Sequence, residues 1–339
     1  MSRPRLTPWG RLTALAGTGR HLLHFVLDRR ATALSLMDRL RFGPFLAQLV
    51  VTRRCNLSCG YCNEYDQSSA PVPTGVLLQR IGALRRLGVP YLEFTGGEPL
   101  LHPDLPRLVR RATDLHFPAR MLISNATLMT PERIEALNRA GLTHLQVSVD
   151  GVATNAVTKK TLQGLRRPLE RLARLARFKV VMSGVVGSCP PEEVTEMIDF
   201  ARHSGFTPRV LLVHGPDGQL GLEEAQRRAY LEAKARIGRR FAESHGYREQ
   251  LIETGRAPFR CRAGARYLYV DEHGEVHWCS QQRARFARPL TAYDAAELRR
   301  QFLTRKGCEA TCTVGCARTN SAYDAWRPQP LAPPDAPEE

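Results

Sequence analysis

From residue 45 onward the chain alternates short β-rich runs with longer helical stretches. Six runs rich in β-branched and apolar residues are predicted as strands: 45–52, 91–95, 120–124, 144–149, 178–184 and 209–214. Helical patterns fall between them at 74–88, 104–115, 130–140, 162–176 and 191–204. Strands that alternate with helices in this way form a parallel sheet, which is either doubly wound or curved into a barrel.

Polar motifs of this region lie where the predicted strands end. Gly96 to Glu98 follow the second strand, Asn125 follows the third, and Ser148 and Asp150 follow the fourth. Both architectures bind ligands at the carboxyl ends of their strands. The ligand face is therefore predicted before the choice between the two folds is made.

Cysteine usage indicates metal binding. The nine cysteines are odd in number and clustered, which argues against a secreted disulfide framework. The chain has 43% hydrophobic residues, no apolar run long enough for a spanning helix, and no signal-peptide pattern. We therefore expect a globular, cytoplasmic protein that binds metal, with a structural zinc site as the alternative.

Three of the cysteines, Cys55, Cys59 and Cys62, fall within the short segment RRCNLSCGYCNEYD, directly after the first predicted strand. Three thiolates leave one position open in a four-ligand zinc site or an iron-sulfur cubane. The spacing CxxxCxxC, with the aromatic Tyr61 before the third cysteine, resembles the CxxxCxΦC signature of the radical S-adenosylmethionine (SAM) superfamily.

The resemblance extends to the other strand ends. The segment TGGEP at 95–99 is similar to the GGE motif of that family, in which the glycines allow close backbone approach and the glutamate accepts from the methionine amino group. Polar residues at the next two strand ends approach the ribose or carboxylate of SAM in relatives, although each could equally be a strand-end cap. The cofactor-binding residues that the resemblance implies are Tyr61, Gly96, Gly97, Glu98, Asn125, Ser148 and Asp150.

The resemblance also implies a fold and a chemistry. Family members use a partial (β/α)6 TIM-type barrel, in agreement with the six predicted strands. Three thiolates would hold three irons of a [4Fe-4S] cluster, and SAM would chelate the fourth. An electron from a flavodoxin- or ferredoxin-type reductant would then cleave SAM to a 5′-deoxyadenosyl radical, which abstracts hydrogen from a substrate.

A second group of cysteines follows later in the chain. Cys261 and Cys279, with Gly274 between them, resemble the Cx9-15Gx4C element of SPASM and Twitch domains, which carry auxiliary iron-sulfur clusters. The resemblance implies one auxiliary [4Fe-4S] cluster, held by Cys261, Cys279 and two of Cys308, Cys312 and Cys316. Zinc is again the alternative. Cys189 fits neither group and is expected to be a buried small residue.

The pattern divides the chain into five parts. These are a basic amphipathic segment (1–44), the barrel (45–215), a helical connector (216–260) whose helix covers 221–244, a cysteine-rich domain with a hairpin over Tyr267–Cys279 (261–320), and a Pro-rich, disordered tail (321–339). The first part could lie on an anionic membrane surface or pack on its own domain.

The net charge of the chain and its resemblance to SPASM-containing enzymes together indicate which substrates to expect. Only five of the 49 basic residues are lysine, and no basic-aromatic pattern is evident, so the net charge of +16 does not favour nucleic acid. Relatives with SPASM domains often modify peptides, and a basic surface suits an acidic leader, which a separate partner would have to bind. A small-molecule or lipid-linked substrate is the alternative, and an electron-transfer or zinc protein without SAM chemistry is the alternative from another class.

Overall fold

A single nine-stranded sheet organises the computed structural model, which describes residues 41–213, 223–237, 246–283 and 285–327. Its strands are β1 (Leu46–Thr52), β2 (Tyr91–Gly96), β3 (Ala119–Ser124), β4 (His144–Ser148), β5 (Lys179–Val186), β6 (Thr207–Leu212), β7 (Tyr267–Val270), β8 (Glu275–His277) and β9 (Arg288–Pro289). Their order across the sheet is β6-β5-β4-β3-β2-β1-β7-β8-β9. Strands β1 to β6 pair in parallel and in chain order, as a partial barrel requires.

Helices connect the parallel strands. The helices are α1 (Thr74–Arg86), α2 (Leu105–Asp114), α3 (Pro131–Ala140), α4 (Leu162–Leu175), α5 (Glu193–His203), α6 (Glu224–Ile237), α7 (Tyr247–Thr254), α8 (Ala295–Leu303) and α9 (Gly315–Ala322). Thr130 and Thr161 cap the amino ends of α3 and α4 through their hydroxyl oxygens. Gly141 ends α3 in the left-handed region. Each predicted strand and helix of the barrel is present, with ends that differ by a few residues.

Apolar and polar residues, all of them buried, alternate in the middle of β1 and β2, so that each strand presents one apolar and one polar face there. Leu92 and Phe94 of β2, like Leu49 of β1, are completely buried in the main hydrophobic core with the apolar faces of the helices. Gln48 and Glu93, which alternate with them, point to the other face of the sheet and hydrogen-bond to each other. The interior of the barrel is therefore partly polar.

The cysteine-rich region is not a separate sheet. Its hairpin of β7 and β8 is present as predicted, and β7 pairs in parallel with β1 over Leu46–Leu49. Arg266, completely buried just before β7, donates from Nη1 to the carbonyl oxygen of Gly43 at 2.6 Å and forms an ion pair with Asp324 at 2.7 Å. The auxiliary region thus extends the barrel sheet.

The remaining predicted segments are only partly described. The connector helix is present as α6, while 221–222 and 238–244 lie outside the described residues, as do the basic segment 1–40 and the tail from 328. Helix α7 was not predicted. Asp324, assigned to the tail by the prediction, is buried in its ion pair with Arg266. In the part of the chain that the structure describes, no helix combines the length and apolarity needed to cross a membrane.

Candidate active site

The first cysteine group lies in the loop after β1. Cys55 donates its backbone N–H to the carbonyl oxygen of Asp66 at 2.8 Å, and Cys62 donates to that of Cys59 at 3.1 Å. These bonds fold the loop back on itself. The three sulfur-bearing side chains share a cavity of about 190 Å³ at the carboxyl edge of the barrel strands. The predicted triad is therefore brought together.

Electrostatics disfavour free thiolates at two positions of this loop, Cys55 and Cys62. Burial raises the pKa of Cys55, and negative charge on Glu98, Cys62 and Cys59 raises it further. Burial likewise raises the pKa of Cys62. A bound cation reverses both effects because it stabilises the thiolate form.

The geometry of the cysteines differs from that of a site for one metal ion. Among the described residues, no three His, Cys, Asp or Glu side chains form a group that could hold a single ion. In a cluster each thiolate binds a different iron, so its ligands need not converge on one point.

The two glycines of the GGE segment pack against the cysteine loop. A Cβ on Gly96, whose φ is +144°, would lie 2.0 Å from the carbonyl oxygen of Thr52, and one on Gly97 would lie 2.4 Å from those of Arg53 and Arg54. Gly97 donates its N–H to the Thr52 carbonyl at 2.9 Å. Both glycines also line the cavity. They are required because two backbones meet here without side chains between them.

Glu98 is completely buried, and its carboxylate is occupied by its own chain. Oε1 accepts from Leu100 N at 2.9 Å and from Ser124 Oγ at 2.8 Å, while Oε2 accepts from Asn125 N at 2.7 Å. It does not line the cavity. In this conformation Glu98 fixes the ends of β2 and β3, and its predicted contact with an amino group stays a prediction.

Asn125 and Ser148 line the cavity as predicted from their strand-end positions. Nδ2 of Asn125 donates to Asn56 Oδ1 at 3.0 Å and lies 3.8 Å from the sulfur of Cys55. The side chain of Asn125 thereby connects the end of β3 to the cysteine loop.

Tyr61 and Asp150 do not line the cavity; the partly buried Tyr61 and the fully buried Asp150 form a hydrogen-bonded pair that contacts Lys160, a residue of the cavity lining. The Tyr61 hydroxyl donates to Asp150 Oδ2, and Lys160 Nζ lies 2.7 Å from the same oxygen and 5.0 Å from the Tyr61 ring centroid. Although burial lowers the pKa of Lys160, Asp150 and Tyr61 raise it well above its usual value. Lys160 is therefore a half-buried ammonium, and it borders the cavity.

Lys160 was missed in the sequence because no motif contains it. Its signal is weak but identifiable: it is one of five lysines in an arginine-rich chain and follows the fourth strand by about a dozen residues. Asp150 accepts from it with Oδ2, whereas Oδ1 is buried without a hydrogen-bond partner among the described residues.

Neighbouring cysteines of the second group raise the pKa values of Cys261, Cys279 and Cys312, and Cys316 packs against the same buried cluster as Cys261 and Cys279. Burial and then negative charge on Cys312, Cys261 and Cys308 raise the pKa of Cys279 well above its usual value. Burial raises the pKa of Cys261 to about 11, and burial together with the charge of Cys261 raises that of Cys312 to about 12. Like the first group, this one favours thiolates only if a metal is bound.

Cys316 lies on the barrel side of this group. Gln48 Nε2 is 3.7 Å from its sulfur, and the same amide donates to Glu93 at 2.6 Å. The hydroxyl of Tyr267 donates to Gln48 Oε1. Cys316 therefore contacts the polar interior of the barrel. Across that interior, Arg209 donates to Gln146 at 3.0 Å, and the hydroxyl of Ser183 is buried without a hydrogen-bond partner in the described ranges.

Direct contacts join the two cysteine groups. Tyr269 of β7 donates to Glu64 at 2.5 Å, Asn63 donates to Gln281 at 2.9 Å, and Arg53 lies 3.8 Å from Glu272. The loop that carries the first group is thus held from one side by β2 and from the other by the auxiliary hairpin.

Cys189 belongs to neither group. It is buried against Gly151, and burial together with the charges of Glu193 and Asp150 raises its pKa to about 12. A thiol with this pKa stays protonated near neutral pH and has little reactivity.

A partial barrel of six parallel strands, with three cysteines after the first strand and a GGE turn after the second, defines a class of iron-sulfur proteins that bind SAM. Residues 49–233 match the family model described as the radical SAM superfamily. The chain belongs to this superfamily, and the predictions of family and fold class are confirmed.

Curated relatives match about half of the chain. An AdoMet-dependent heme synthase of Methanosarcina barkeri is 33% identical over 172 residues, which are 48% of this chain and 48% of the relative. A PqqA peptide cyclase of Gluconobacter oxydans is 33% identical over 176 residues, 50% of this chain and 48% of the relative. The chain thus spans about half the length of these relatives.

A solved structure extends the likeness in fold beyond the barrel. It is the crystal structure of Streptococcus suis SuiB bound to precursor peptide SuiA. The match covers 89% of this chain and 71% of the SuiB chain, with a TM-score of 0.62 and 14% sequence identity. At this identity the match concerns the fold alone.

Proposed function

We propose that this protein is a radical SAM enzyme that modifies a peptide substrate and carries one auxiliary iron-sulfur cluster. The observation that carries the proposal is the shared cavity, in which Cys55, Cys59 and Cys62 meet the glycines of the GGE turn and polar residues from two further strand ends. This combination suits a metal cluster with a polar cofactor beside it.

The residues present fit a cluster and SAM. Cys55, Cys59 and Cys62 would hold the cluster, and the raised pKa values of Cys55 and Cys62 mean that the thiolates of these two residues need a cation nearby. When bound, a reduced [4Fe-4S] cluster and SAM supply a 5′-deoxyadenosyl radical that abstracts hydrogen from a substrate. The protein's own part is to bind, orient and shield these groups in a cavity bounded by packed strands.

Three polar groups are suited to bind SAM. Asn125 and Ser148 offer hydrogen bonds from the strand ends, and the Lys160 ammonium offers a positive charge for a carboxylate. The buried acceptor Oδ1 of Asp150 suits a ribose hydroxyl if the cavity opens toward it. The hydrogen bond from the Tyr61 hydroxyl to Oδ2 would hold the Asp150 carboxylate in place.

For the auxiliary cluster, the electrostatic influence of Cys261, Cys308 and Cys312 on one another and on Cys279 favours these four cysteines as ligands. Cys316 would then remain a thiol that faces the barrel interior. Full ligation by four thiolates suits electron transfer or a structural role rather than direct binding of substrate.

A peptide substrate is supported by two similar proteins, a PqqA peptide cyclase and a SuiB bound to a precursor peptide. The net charge of +16 is complementary to an acidic peptide. A flavodoxin- or ferredoxin-type reductant, a leader-binding partner and a cytoplasmic location complete the proposal. Membrane contact through residues 1–44 stays a prediction, because almost all of them lie outside the described residues.

The decisive experiment measures SAM binding and 5′-deoxyadenosine release by the anaerobically reconstituted, reduced protein. The parent is compared with a variant in which Cys55, Cys59 and Cys62 are changed to Ala, and with Cys189→Ala as a cysteine control outside both groups. We expect binding and release by the parent and by Cys189→Ala, and neither by the triple variant. An iron-loaded parent that neither binds SAM nor releases 5′-deoxyadenosine would overturn the proposal in favour of an electron carrier.

A further inference from the structure

We infer that the inner face of the barrel carries a carboxylate site, built around Arg209 and Ser183, that binds an acidic group of the substrate. The inference rests on the proposed function and narrows its substrate class to peptides with a carboxylate close to the reacting position. Its basis is a row of polar side chains that runs from the cavity of the first cysteine group across β4, β5 and β6.

Strand register places this row at one level of the sheet. Ser148 of β4 pairs with Ser183 of β5, and Ser183 pairs with Arg209 of β6. Arg209 also donates to Gln146 at 3.0 Å, and Gln146 shares a face with Ser148 because the two are separated by one residue of the same strand. Ser148 lines the cavity. The backbone of Arg209 is therefore two strand spacings, or about 10 Å, from the cavity edge.

The hydroxyl in the middle of the row suits a ligand that accepts a hydrogen bond. Ser183 is 1% exposed, and its Oγ has no hydrogen-bond partner among the described residues. A buried hydroxyl without a partner is unfavourable, so its presence here is explained if an acceptor from the substrate binds to it. Arg209 and Gln146 are only partly buried, which gives a ligand access to the row from the barrel interior.

Guanidinium groups from β6 and α7 come together at the start of α9. Arg209 Nη2 and Arg248 Nη2 lie 3.7 Å and 2.6 Å from the position that a Cβ on Gly315 would occupy. Gly315 is the first residue of α9, and the amino end of a helix carries a partial positive charge. Arg318 of the same helix and Arg248 both stack on the ring of Tyr247, at 4.2 Å and 4.8 Å from its centroid. Positive charge is thus concentrated on this side of the barrel.

The carboxylate of Glu93 lies on the same inner face and is attracted by Arg209. Glu93 is 4% exposed, and its Oε2 accepts from Gln48 Nε2 at 2.6 Å. Burial raises the pKa of Glu93 in spite of the charge of Arg209, so the interior disfavours its negative charge. The guanidinium groups of Arg209, Arg248 and Arg318 outnumber this carboxylate, and a second one from the substrate would be stabilised beside them.

A carboxylate suits these donors better than a neutral amide does. A guanidinium donates two parallel N–H groups to the two oxygens of a carboxylate, and a serine hydroxyl can donate to one of the same oxygens. In a peptide this group comes from the side chain of an acidic residue or from the C-terminus. Either source would hold the neighbouring carbon atoms toward Ser148 and the cavity, where hydrogen abstraction is proposed.

The test uses the iron-loaded full chain with SAM but without reductant, and peptides as probes. Ac-Gly-Glu-Gly-NH2 carries a side-chain carboxylate, Ac-Gly-Gln-Gly-NH2 is its neutral counterpart, and Ac-Gly-Gly-Gly-OH carries a terminal carboxylate. Affinities are measured anaerobically by calorimetry at about 0.15 M salt, which screens attraction between exposed charges. The variants are Arg209→Met, Arg209→Gln and Ser183→Ala. Arg110→Met, on the exposed face of α2, is the matched control.

We expect the parent to bind one of the two carboxylate peptides about tenfold more tightly than the glutamine peptide, the effect of roughly one charge-assisted pair. Both neutral variants of Arg209 should lose this preference, and Ser183→Ala should reduce it about threefold. Arg110→Met should keep it. The peptide that is preferred identifies the source of the carboxylate. A parent without the preference, or an Arg209→Met protein that retains it, would overturn the inference.

The two neutral variants of Arg209 guard against a loss of folding, which circular dichroism and iron content detect. If Arg209→Met does not fold, a retained preference in Arg209→Gln contradicts the inference, and if neither folds, an unchanged preference in Ser183→Ala does. Release of 5′-deoxyadenosine by the reduced parent tests the proposed function separately. A parent that releases it but does not prefer a carboxylate overturns the carboxylate site alone.

Discussion

The ammonium of Lys160 lies between the cavity that contains Cys55, Cys59 and Cys62 and the hydrogen-bonded pair of Tyr61 and Asp150. Its pKa is held well above the usual value by Asp150 and Tyr61, so it is charged throughout the neutral range. A single fixed cation in a small cavity can orient an anionic group. This makes Lys160 the clearest candidate for recognition of the SAM carboxylate.

Changing Lys160 to Met should weaken SAM binding about tenfold, the effect of losing roughly one charge-assisted hydrogen bond. Affinity is measured by anaerobic titration of the iron-loaded protein with SAM. Lys159→Met is the matched control, because Lys159 is exposed and, among the described residues, its Nζ donates only to the Asn155 carbonyl, at 3.2 Å. Equal affinities of the parent and Lys160→Met would rule out a contact with SAM.

At the scale of elements, the site depends on how the end of β2 meets the cysteine loop. Gly96 and Gly97 allow the two backbones to touch, and the carboxylate of Glu98 holds the end of β3 beside them. The loop is thus positioned by main-chain hydrogen bonds, so that changes in the turn should affect metal binding indirectly.

Gly97→Ala should lower the iron content of the first site and reduce the free energy of unfolding by about 2 kcal/mol, because the new methyl group would overlap two carbonyl oxygens. Iron analysis in a Cys261→Ala, Cys279→Ala background isolates the first site, and urea unfolding gives the stability. Gly75→Ala in α1, where no atom lies within 4 Å of the added Cβ, should leave both unchanged or slightly stabilise the helix. Full iron loading of Gly97→Ala would show that the close approach is dispensable.

The segment from Cys308 to Cys316 carries three cysteines with different surroundings. Cys308 and Cys312 interact with Cys261, whereas Cys316 contacts Gln48 of the barrel. In the background without the first three cysteines, Cys308→Ala should lose the auxiliary cluster and Cys316→Ala should keep it. Iron content and the visible spectrum show whether each variant holds the auxiliary cluster. A cluster that is retained in Cys308→Ala and lost in Cys316→Ala would mean that Cys316, and not Cys308, is the ligand.

The elements of the barrel could be predicted from the sequence because their signals are local. A β-rich run, a capping threonine such as Thr130 and a glycine such as Gly141 each act within a few residues. The pairing of β7 with β1 could not, since Leu46 and Tyr267 are far apart in the chain and no local pattern specifies their contact. The position of Lys160 beside the cavity could not be predicted either, because it depends on contacts between the end of β4 and the cysteine loop, which are far apart in the chain.

For the whole molecule, the hairpin of β7 and β8 connects the two cysteine groups through a charged network. His277 Nε2 lies 2.9 Å from Asp271 Oδ2, and Arg283 lies 2.9 Å from Glu272, which in turn faces Arg53 of the cysteine loop. Although burial raises the pKa of Asp271, the hydrogen bond from His277 and the positive charges nearby lower it to about 2. Asp271 is thus ionised throughout the neutral range.

The pKa of His277 is raised, because the hydrogen bond and charge of Asp271 outweigh burial. Its stabilising charge is complete below its usual pKa near 6.5 and is lost as the pH rises through the raised value. Asp271→Asn should therefore cost about 2 kcal/mol at pH 6 and less at pH 9. Urea unfolding of the holoprotein at both pH values measures this, with Glu275→Gln as the control on the same hairpin. A cost that does not change with pH would contradict the pairing.

The continuity of the sheet has a consequence for synthesis on the ribosome. Strand β1 is made early, yet its partner β7 follows only after the rest of the barrel. At translation rates of 5–20 residues per second, the free edge of β1 waits on the order of ten to forty seconds. During that time it can pair with other strands, as unprotected edges do. The nascent barrel is therefore most vulnerable to aggregation just before the auxiliary region emerges, and slow translation of that region would prolong the exposure.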